Sequence, residues 1–375
     1  MEVAIVHYWM VTWRGGEKVI KSLMDLFPRA DIYTLFYDES AVGKHLEGHQ
    51  VHVSSIDGPI LRKNHQKAFP LYPKGIASLR LEKKYDLILS SESGPSKGIP
   101  RAPFNLDTPH LCYVHTPMRY CYGFRSSYLE NLPLLLRPLV DNRLNKLMEW
   151  DLTTVDNVDH YLANSDNVRR RIKKYWHQEA EVCYPPIALD LFAGELKEPG
   201  GDYYLSFGAL TPYKKVDLLV EAFNKSGKRL VIIGEGSERQ KLEARALDNI
   251  EFVGYQSNNA IQQWVKGAQA LIFPGEEDFG MIPLEVMAVG LPVIAFKAGG
   301  AMETVVENRE EPEKSSGIFF LTQDVRVLNH AIEDFEKIIH RFDPAWIRSH
   351  ARNFGEDAFQ ARFIHLVENF LTSRT

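Results

Sequence analysis

The chain has 375 residues, too many for one ordinary hydrophobic core, so two domains or more are expected. Its composition is 45% hydrophobic, 11% aromatic and 25% charged, which excludes a disordered, collagen-like or coiled-coil chain. A net charge of −5 leaves no basic footprint of the kind a dedicated nucleic-acid binder needs, so any nucleotide bound is expected to be a small molecule.

Runs rich in Val, Ile and Leu alternate with amphipathic stretches throughout, predicting an α/β fold of parallel sheets with crossover helices. The first half reads as strands at 3–8, 31–36, 86–90, 110–114 and 159–163, with helices near 17–27, 126–150 and 165–175. Ser165 is placed to cap the last helix. The second half reads as strands at 203–207, 229–233, 250–253, 269–273, 292–295 and 317–320. Its helices fall near 215–226, 237–247, 257–267, 283–289 and 324–340. Between the two series, Tyr184-Pro185-Pro186 and the polar segment 194–201 disfavour both helix and strand and predict a linker. Domains of 1–192 and 193–355 follow, with an amphipathic C-terminal helix in 356–375 long enough to pack back on the first domain.

Charge is divided unevenly, +1 over residues 1–196 and −6 over 197–375. Residues 61–84 carry seven cations against Glu82 alone, with Phe69, Leu71 and Tyr72 interleaved. That stretch is either a solvated surface or a patch attracted to anionic lipid. Cys112, Cys121 and Cys183 form no C-x-x-C pair, so neither a disulfide framework nor a zinc cage is indicated, and a reducing cytoplasm fits. Glu2 stands where a signal peptide would carry its basic region, and the segment from Met281 to Phe296 is interrupted by Pro283, Glu285, Gly290 and Pro292. Neither reads as a targeting or membrane-spanning segment, so membrane contact is expected to be peripheral.

The segment from Pro274 to Ala288 follows a predicted strand and opens a predicted helix, with Pro283 in the first turn. Backbone N–H groups around Gly280 to Leu284 and the positive end of the helix suit an anion such as phosphate. Glu277 and Glu285 would then reach different parts of one ligand and accept hydrogen bonds from its hydroxyls. Gly234-Glu235-Gly236 lacks the third glycine of a dinucleotide fingerprint, since Arg239 stands there. There is no D-x-D pair or H-E-x-x-H pair, so no divalent metal or zincin chemistry is expected, and serine-hydrolase chemistry is not expected either.

The setting E-D-F-G-M-I-P-L-E of residues 277–285 resembles the signature of the retaining glycosyltransferases of family 4, which have the GT-B fold of two Rossmann-like domains facing across a cleft. The resemblance extends to Gly15-Gly16-x-Lys18, Val114-His115-Thr116-Pro117, Ala163-Asn164-Ser165, Tyr184-Pro185-Pro186 and the segment from Pro212 to Phe223. It is nearest to members that build bacterial surface polysaccharides. It implies an N-terminal acceptor domain and a C-terminal sugar-nucleotide domain. It assigns Glu285 to the ribose hydroxyls, Glu277 to the transferred sugar and Lys214, helped by Lys215, to the diphosphate. The backbone of Phe279, Gly280, Met281 and Ile282 would line sugar and diphosphate, Gly15 and Gly16 would face the phosphates, and His115 would reach the sugar. One position departs from the pattern: Ala209 replaces the arginine usual five residues before the lysine, which removes a fork suited to phosphate oxygens. Arg119 is a candidate replacement.

The resemblance implies a metal-independent transfer of a hexose, from UDP-glucose first and GDP-mannose next, to a glycan acceptor that is lipid-linked at the cytoplasmic membrane face. The base would lie near Phe252 to Tyr255. Alternatives are a GT-B sugar-nucleotide 2-epimerase or phosphorylase, or a non-catalytic sugar-nucleotide-binding scaffold of a polysaccharide assembly complex.

Overall fold

A computed structural model describes residues 1–13, 15–130, 132–189, 196 and 200–374. The chain forms two units: residues 1–186 with 359–375, and residues 187–358. The 192–193 boundary and most of the 194–201 linker expected from sequence lie outside the described residues.

The N-terminal unit is built on seven parallel strands: β1 (Val3–His7), β2 (Asp31–Thr34), β3 (Val51–Val53), β4 (Leu87–Glu92), β5 (His110–Val114), β6 (His160–Ala163) and β7 (Glu181–Val182). Their order is β3-β2-β1-β4-β5-β6-β7, with Ile5 opposite both Ile32 and Leu89. β1 is apolar from Val3 to Val6 and β4 from Leu87 to Leu89, and both strands are buried throughout, as a parallel sheet covered on both faces requires. Alternation along β1 divides the core. Val3 and Ile5 face a cluster that includes Val19, Ile20 and Leu23 of the helix Gly15–Leu26. Ala4 and Val6 face Tyr72, Ile76, Leu144 and Leu147 on the other side.

The helix Glu356–Thr372 adds Phe359, Phe363, Leu366, Val367 and Phe370 to the first of these clusters. Their spacing of roughly four residues makes one continuous apolar stripe. Phe363 is fully buried there, so Phe363→Ala would cost about 3–5 kcal/mol of this unit's stability. Ser165 accepts the Val168 amide at 3.1 Å and caps the helix Asp166–Trp176.

The C-terminal unit carries six parallel strands: β8 (Tyr203–Phe207), β9 (Leu230–Ile233), β10 (Ile250–Gly254), β11 (Ala268–Phe273), β12 (Val293–Phe296) and β13 (Gly317–Phe320). Their order is β10-β9-β8-β11-β12-β13. The helices Val216–Ser226 and Val325–Ile338 bury Leu219, Phe223, Leu328 and Phe335.

Three sequence expectations change. The short strands β3 and β7 were not foreseen, since segments of three and two residues carry no readable alternation. The helix expected over 126–150 is divided into Arg125–Glu130, a tight turn at Leu134–Leu136 and Arg137–Thr153. Pro133 precedes the turn and Pro138 sits in the first turn of the last helix, where proline is tolerated only at a helix start. The basic stretch, for which no elements were expected, takes in the end of the helix Pro59–Lys63 and the helix Tyr72–Ser78. Among the described residues, no helix is long and apolar enough to cross a membrane.

Candidate functional site

Each sheet has one place where its strand order reverses, between β1 and β4 and between β8 and β11. Loops leaving the carboxyl ends of such strands diverge and open a crevice, which is where open α/β sheets take ligands.

In the C-terminal unit the loop after β8 makes a tight turn at Pro212–Lys214, closed by the Lys214 amide on the Thr211 carbonyl at 3.0 Å. Lys215 follows in the left-handed conformation, φ 56°, and starts the helix Val216–Ser226. The loop after β11 passes close beside this turn. A side chain at Gly275 would stand 3.0 Å from the Lys214 Cα and from the Tyr213 carbonyl oxygen, a contact tighter than most side chains make, so glycine eases the close approach of the two backbones. The Lys214 ammonium thereby forms an ion pair with the Glu277 carboxylate, both side chains being mostly shielded from solvent. A small pocket lies alongside, lined by Gly208, Ala209, Lys214, Phe273, Gly275 and Glu277.

Gly280, at φ 83°, turns the chain into the short helix Met281–Met287. The first amides of this helix, at Met281 and Ile282, have no partner within the helix, and Pro283 has no N–H to offer. Ile282 abuts Gly208, so the start of the helix lies beside the loop after β8. Phe279 is buried, its ring 6.0 Å from that of Phe354. Glu285 is only 8% exposed, which separates it from the solvated glutamates usual on helices. Gly234-Glu235-Gly236 has a packing role. A Cβ at Gly234 would fall 1.9 Å from the Gly208 carbonyl oxygen, and the Leu210 amide bonds the Glu235 carbonyl at 2.9 Å.

The reversal in the N-terminal unit has different chemistry. His7 ends β1 opposite Ser91 of β4, and His115 follows β5, its amide donating to the Glu92 carbonyl at 2.9 Å. Ser91 Oγ stands 2.7 Å from His115 Nε2 and 3.0 Å from His7 Nδ1. His7 Nε2 faces Glu17 Oε1 at 3.9 Å. His7, Ser91 and Glu17 are all buried. One hydroxyl between two imidazoles donates to one and accepts from the other, so the tautomers of His7 and His115 are coupled. Gly15 and Gly16 open the helix that carries Glu17. A Cβ at Gly16 would meet the Tyr8 hydroxyl at 2.9 Å and approach His115 Nε2 to 3.9 Å.

Behind this chain lies a buried charge cluster. Lys97 pairs with Asp151, which also accepts from Tyr122 Oη at 2.7 Å and Trp176 Nε1 at 2.9 Å. Glu92 Oε2 accepts the Lys97 amide at 2.7 Å. Burial pushes the Glu92 carboxyl up to about 8, against the opposing pull of Lys97. It is therefore mostly protonated at neutral pH, which leaves the Lys97–Asp151 pair balanced.

Within the C-terminal unit, Lys214 and Glu277 meet, and Ile282 abuts Gly208, which lines the pocket beside them. Within the N-terminal unit, Gly16 and His115 meet. Arg119 lies in the N-terminal unit, its guanidinium 5.4 Å from the Phe124 ring centroid. Sequence reasoning did not assign roles to Ser91, Glu17 or His7. They stand on separate elements with no local motif, and only the β1–β4 register, with His7 opposite Ser91, could have linked two of them. Among the described residues, no three His, Cys, Asp or Glu side chains are grouped as a metal would need.

Two family models match successive parts of the chain: Glycosyltransferase Family 4 over residues 13–191 and Glycosyl transferases group 1 over residues 190–347. A Kluyveromyces lactis alpha-1,3/1,6-mannosyltransferase is 24% identical over 67% of this chain and 61% of its own. A GDP-mannose-dependent alpha-mannosyltransferase of Mycolicibacterium smegmatis is 33% identical over 36% of each. The chain spans about half the length of the curated relatives it matches first. The solved structure of Anabaena Alr3699/HepE in complex with UDP superposes with a TM-score of 0.70 at 16% identity, covering 98% of this chain and 100% of that one. At that identity the likeness is one of fold.

Proposed function

Since the chain belongs to the GT-B glycosyltransferases of family 4, we propose that it moves a hexosyl group from a nucleoside-diphosphate sugar to a hydroxyl of a glycan acceptor, with retention and without a divalent metal. The observation that carries this reading is the pairing of Lys214 with Glu277 at the strand-order reversal of the C-terminal sheet. A departing nucleoside diphosphate gathers negative charge, and a fixed cation with helix-start amides stabilises that charge as it develops. Without donor, the Glu277 carboxylate holds the ammonium in place. A diphosphate takes over the ammonium and frees the carboxylate to accept hydrogen bonds from sugar hydroxyls. Glu285 serves the ribose, Lys215 assists Lys214, and Phe279, Gly280, Met281 and Ile282 line the donor. Gly15, Gly16 and His115 serve the reaction from the N-terminal unit, with Ser91 and His7 fixing which nitrogen of His115 carries its proton.

The order of donors is reversed from that drawn from sequence. Relatives named as GDP-mannose-dependent share 33% identity over the matched segments, whereas the UDP complex shares 16% and speaks to fold alone. GDP-mannose is therefore placed first and UDP-glucose second. The acceptor is proposed to be lipid-linked at the cytoplasmic membrane face, reached through the basic stretch 61–84. A ligand of the native state raises apparent stability, so thermal shifts with UDP, GDP and their sugars rank the donors. No shift with any of them, together with no transfer to any acceptor, defeats the reading.

Ala209 favours a second reading, a scaffold that binds a sugar nucleotide without turning it over. Slow donor hydrolysis that disappears in Glu277→Ala excludes the scaffold. Donor that stays bound and intact supports it.

A further inference from the structure

The hydrogen-bonded run at the carboxyl ends of β1, β4 and β5 has a charged end. Glu17 stands in the first turn of the helix Gly15–Leu26, where the positive end of the helix favours a carboxylate over a carboxylic acid. Its side chain is buried, and its Oε1 lies 3.9 Å from Nε2 of the fully buried His7 ring. No hydrogen bond reaches His7 Nε2 among the described residues, so the field of this carboxylate acts on it directly. The same charge is felt by the Tyr8 phenol, which burial first and Glu17 second hold above its ordinary range. A Cβ at Gly16 would lie 3.7 Å from His7 Cε1 and 3.9 Å from His115 Nε2, so the start of the helix sits against both rings.

A carboxylate accepts hydrogen bonds and donates none, so it imposes a direction on the groups in line with it. His7 turns an N–H toward Glu17, because a bare lone pair facing a carboxylate in a buried site is repelled. In a neutral ring a proton on Nε2 leaves Nδ1 as an acceptor. His7 Nδ1 then takes the Ser91 hydroxyl proton across 3.0 Å. Having given its one proton, Ser91 Oγ accepts from His115 Nε2 across 2.7 Å. His115 is therefore protonated on Nε2 and keeps its lone pair on Nδ1. The reverse arrangement, with the proton on His115 Nδ1, would turn an unprotonated His7 Nε2 on the carboxylate.

We propose that Glu17 is a positioning residue that sets this direction, acting through His7 and Ser91 so that His115 presents an acceptor nitrogen to the transferred hexose. A hydroxyl of the sugar then donates to Nδ1. A sugar nucleotide whose hydroxyl at that place is replaced by hydrogen or fluorine lacks the proton and is a poor donor. The proposal rests on the reading above for the place of His115 at the hexose, but the proton arrangement itself needs no ligand.

The test is ring-nitrogen NMR of the full chain with isotopically labelled histidine, at about pH 8.5, where an unperturbed imidazole is neutral. Signals of His7 and His115 are identified by their loss in His7→Gln and His115→Gln. Both rings are expected to carry the proton on Nε2. Glu17→Gln, whose amide oxygen still accepts, keeps that pattern, whereas Glu17→Leu leaves both rings as mixtures of the two tautomers. Ser91→Ala releases the tautomer of His115 alone, since His7 still faces Glu17. In initial-rate kinetics Glu17→Leu lowers transfer about tenfold and Glu17→Gln less than about threefold. The proposal is overturned by a proton on His115 Nδ1, by a cationic His7, or by a Glu17→Leu spectrum like that of the wild type. The wild-type and Ser91→Ala spectra decide the matter even where Glu17→Leu fails to fold. The expected spectra in a protein that binds no nucleotide support the direction set by Glu17 and remove the donor reading instead.

Discussion

The two sheets reverse their strand order in the same way, yet the crevices they open hold opposite chemistry. After β8 and β11 the C-terminal unit places a lysine and a glutamate in direct ion pair, with a helix start beside them. After β1 and β4 the N-terminal unit places a serine hydroxyl between two imidazoles, with a buried carboxylate behind. The first arrangement answers a large change in ligand charge. The second fixes the direction of hydrogen bonds, because a buried chain of donors and acceptors has few consistent proton arrangements. One fold feature, used twice, yields a group that stabilises charge and a group that orients.

The largest test of this contrast is at the ion pair. Lys214→Ala and Glu277→Ala should each reduce transfer by roughly 100-fold or more, the usual cost of losing a preorganised electrostatic contact. The measurement is initial-rate kinetics with the donor ranked first, and activity within a few-fold of wild type in either variant breaks the assignment. Ser91→Ala should lower the rate by about tenfold and shift its pH profile, since it uncouples the His115 tautomer from His7. A lower rate with an unmoved profile would reduce Ser91 to a packing role.

Ala209→Arg sharpens the comparison by adding a second cation where the family usually has one. Affinity for the nucleoside diphosphate should rise about fivefold by calorimetry, as a charge-assisted fork forms on phosphate oxygens. No gain would show that the loop after β8 has settled on a geometry that does not use the position.

The smallest effect concerns Glu92. Its carboxyl is raised by burial from the ordinary 4.5 to about 8, so the folded protein holds a proton that the unfolded chain releases between those values. The stability this contributes is complete below the lower value and is lost as pH rises through the upper one. The N-terminal unit should therefore melt a few degrees lower at alkaline pH than at mildly acidic pH, and Glu92→Gln should flatten that slope. Parallel curves for the two proteins would refute it.

The C-terminal site was the more legible in the sequence. Glu277, Gly280 and Glu285 lie within one continuous segment, and Lys214 has its own flanking pattern, so each could be assigned before the fold was known. The ion pair between Lys214 and Glu277 was not foreseen, because it depends on Gly275 bringing two loops together. The N-terminal chain was legible only at His115 and Gly16. Ser91 stands one residue beyond the strand expected at 86–90, in the polar run Ser90-Ser91-Glu92, and its importance comes from its register with His7. At the level of elements, most strands could be placed from apolar runs. The break in the helix expected over 126–150 was missed, although Pro133 and Pro138 marked it.

The C-terminal helix has one further consequence, for the order of events during synthesis. The unit spanning 187–358 is continuous in the chain and can collapse as soon as it leaves the ribosome. The unit that begins with β1 is not, because Phe359, Phe363, Leu366 and Val367 complete the cluster around Val3 and Ile5. The part translated first must therefore remain unsealed while the part translated after it closes, and nascent β1 is exposed to chaperones or misfolding for most of the polypeptide's production.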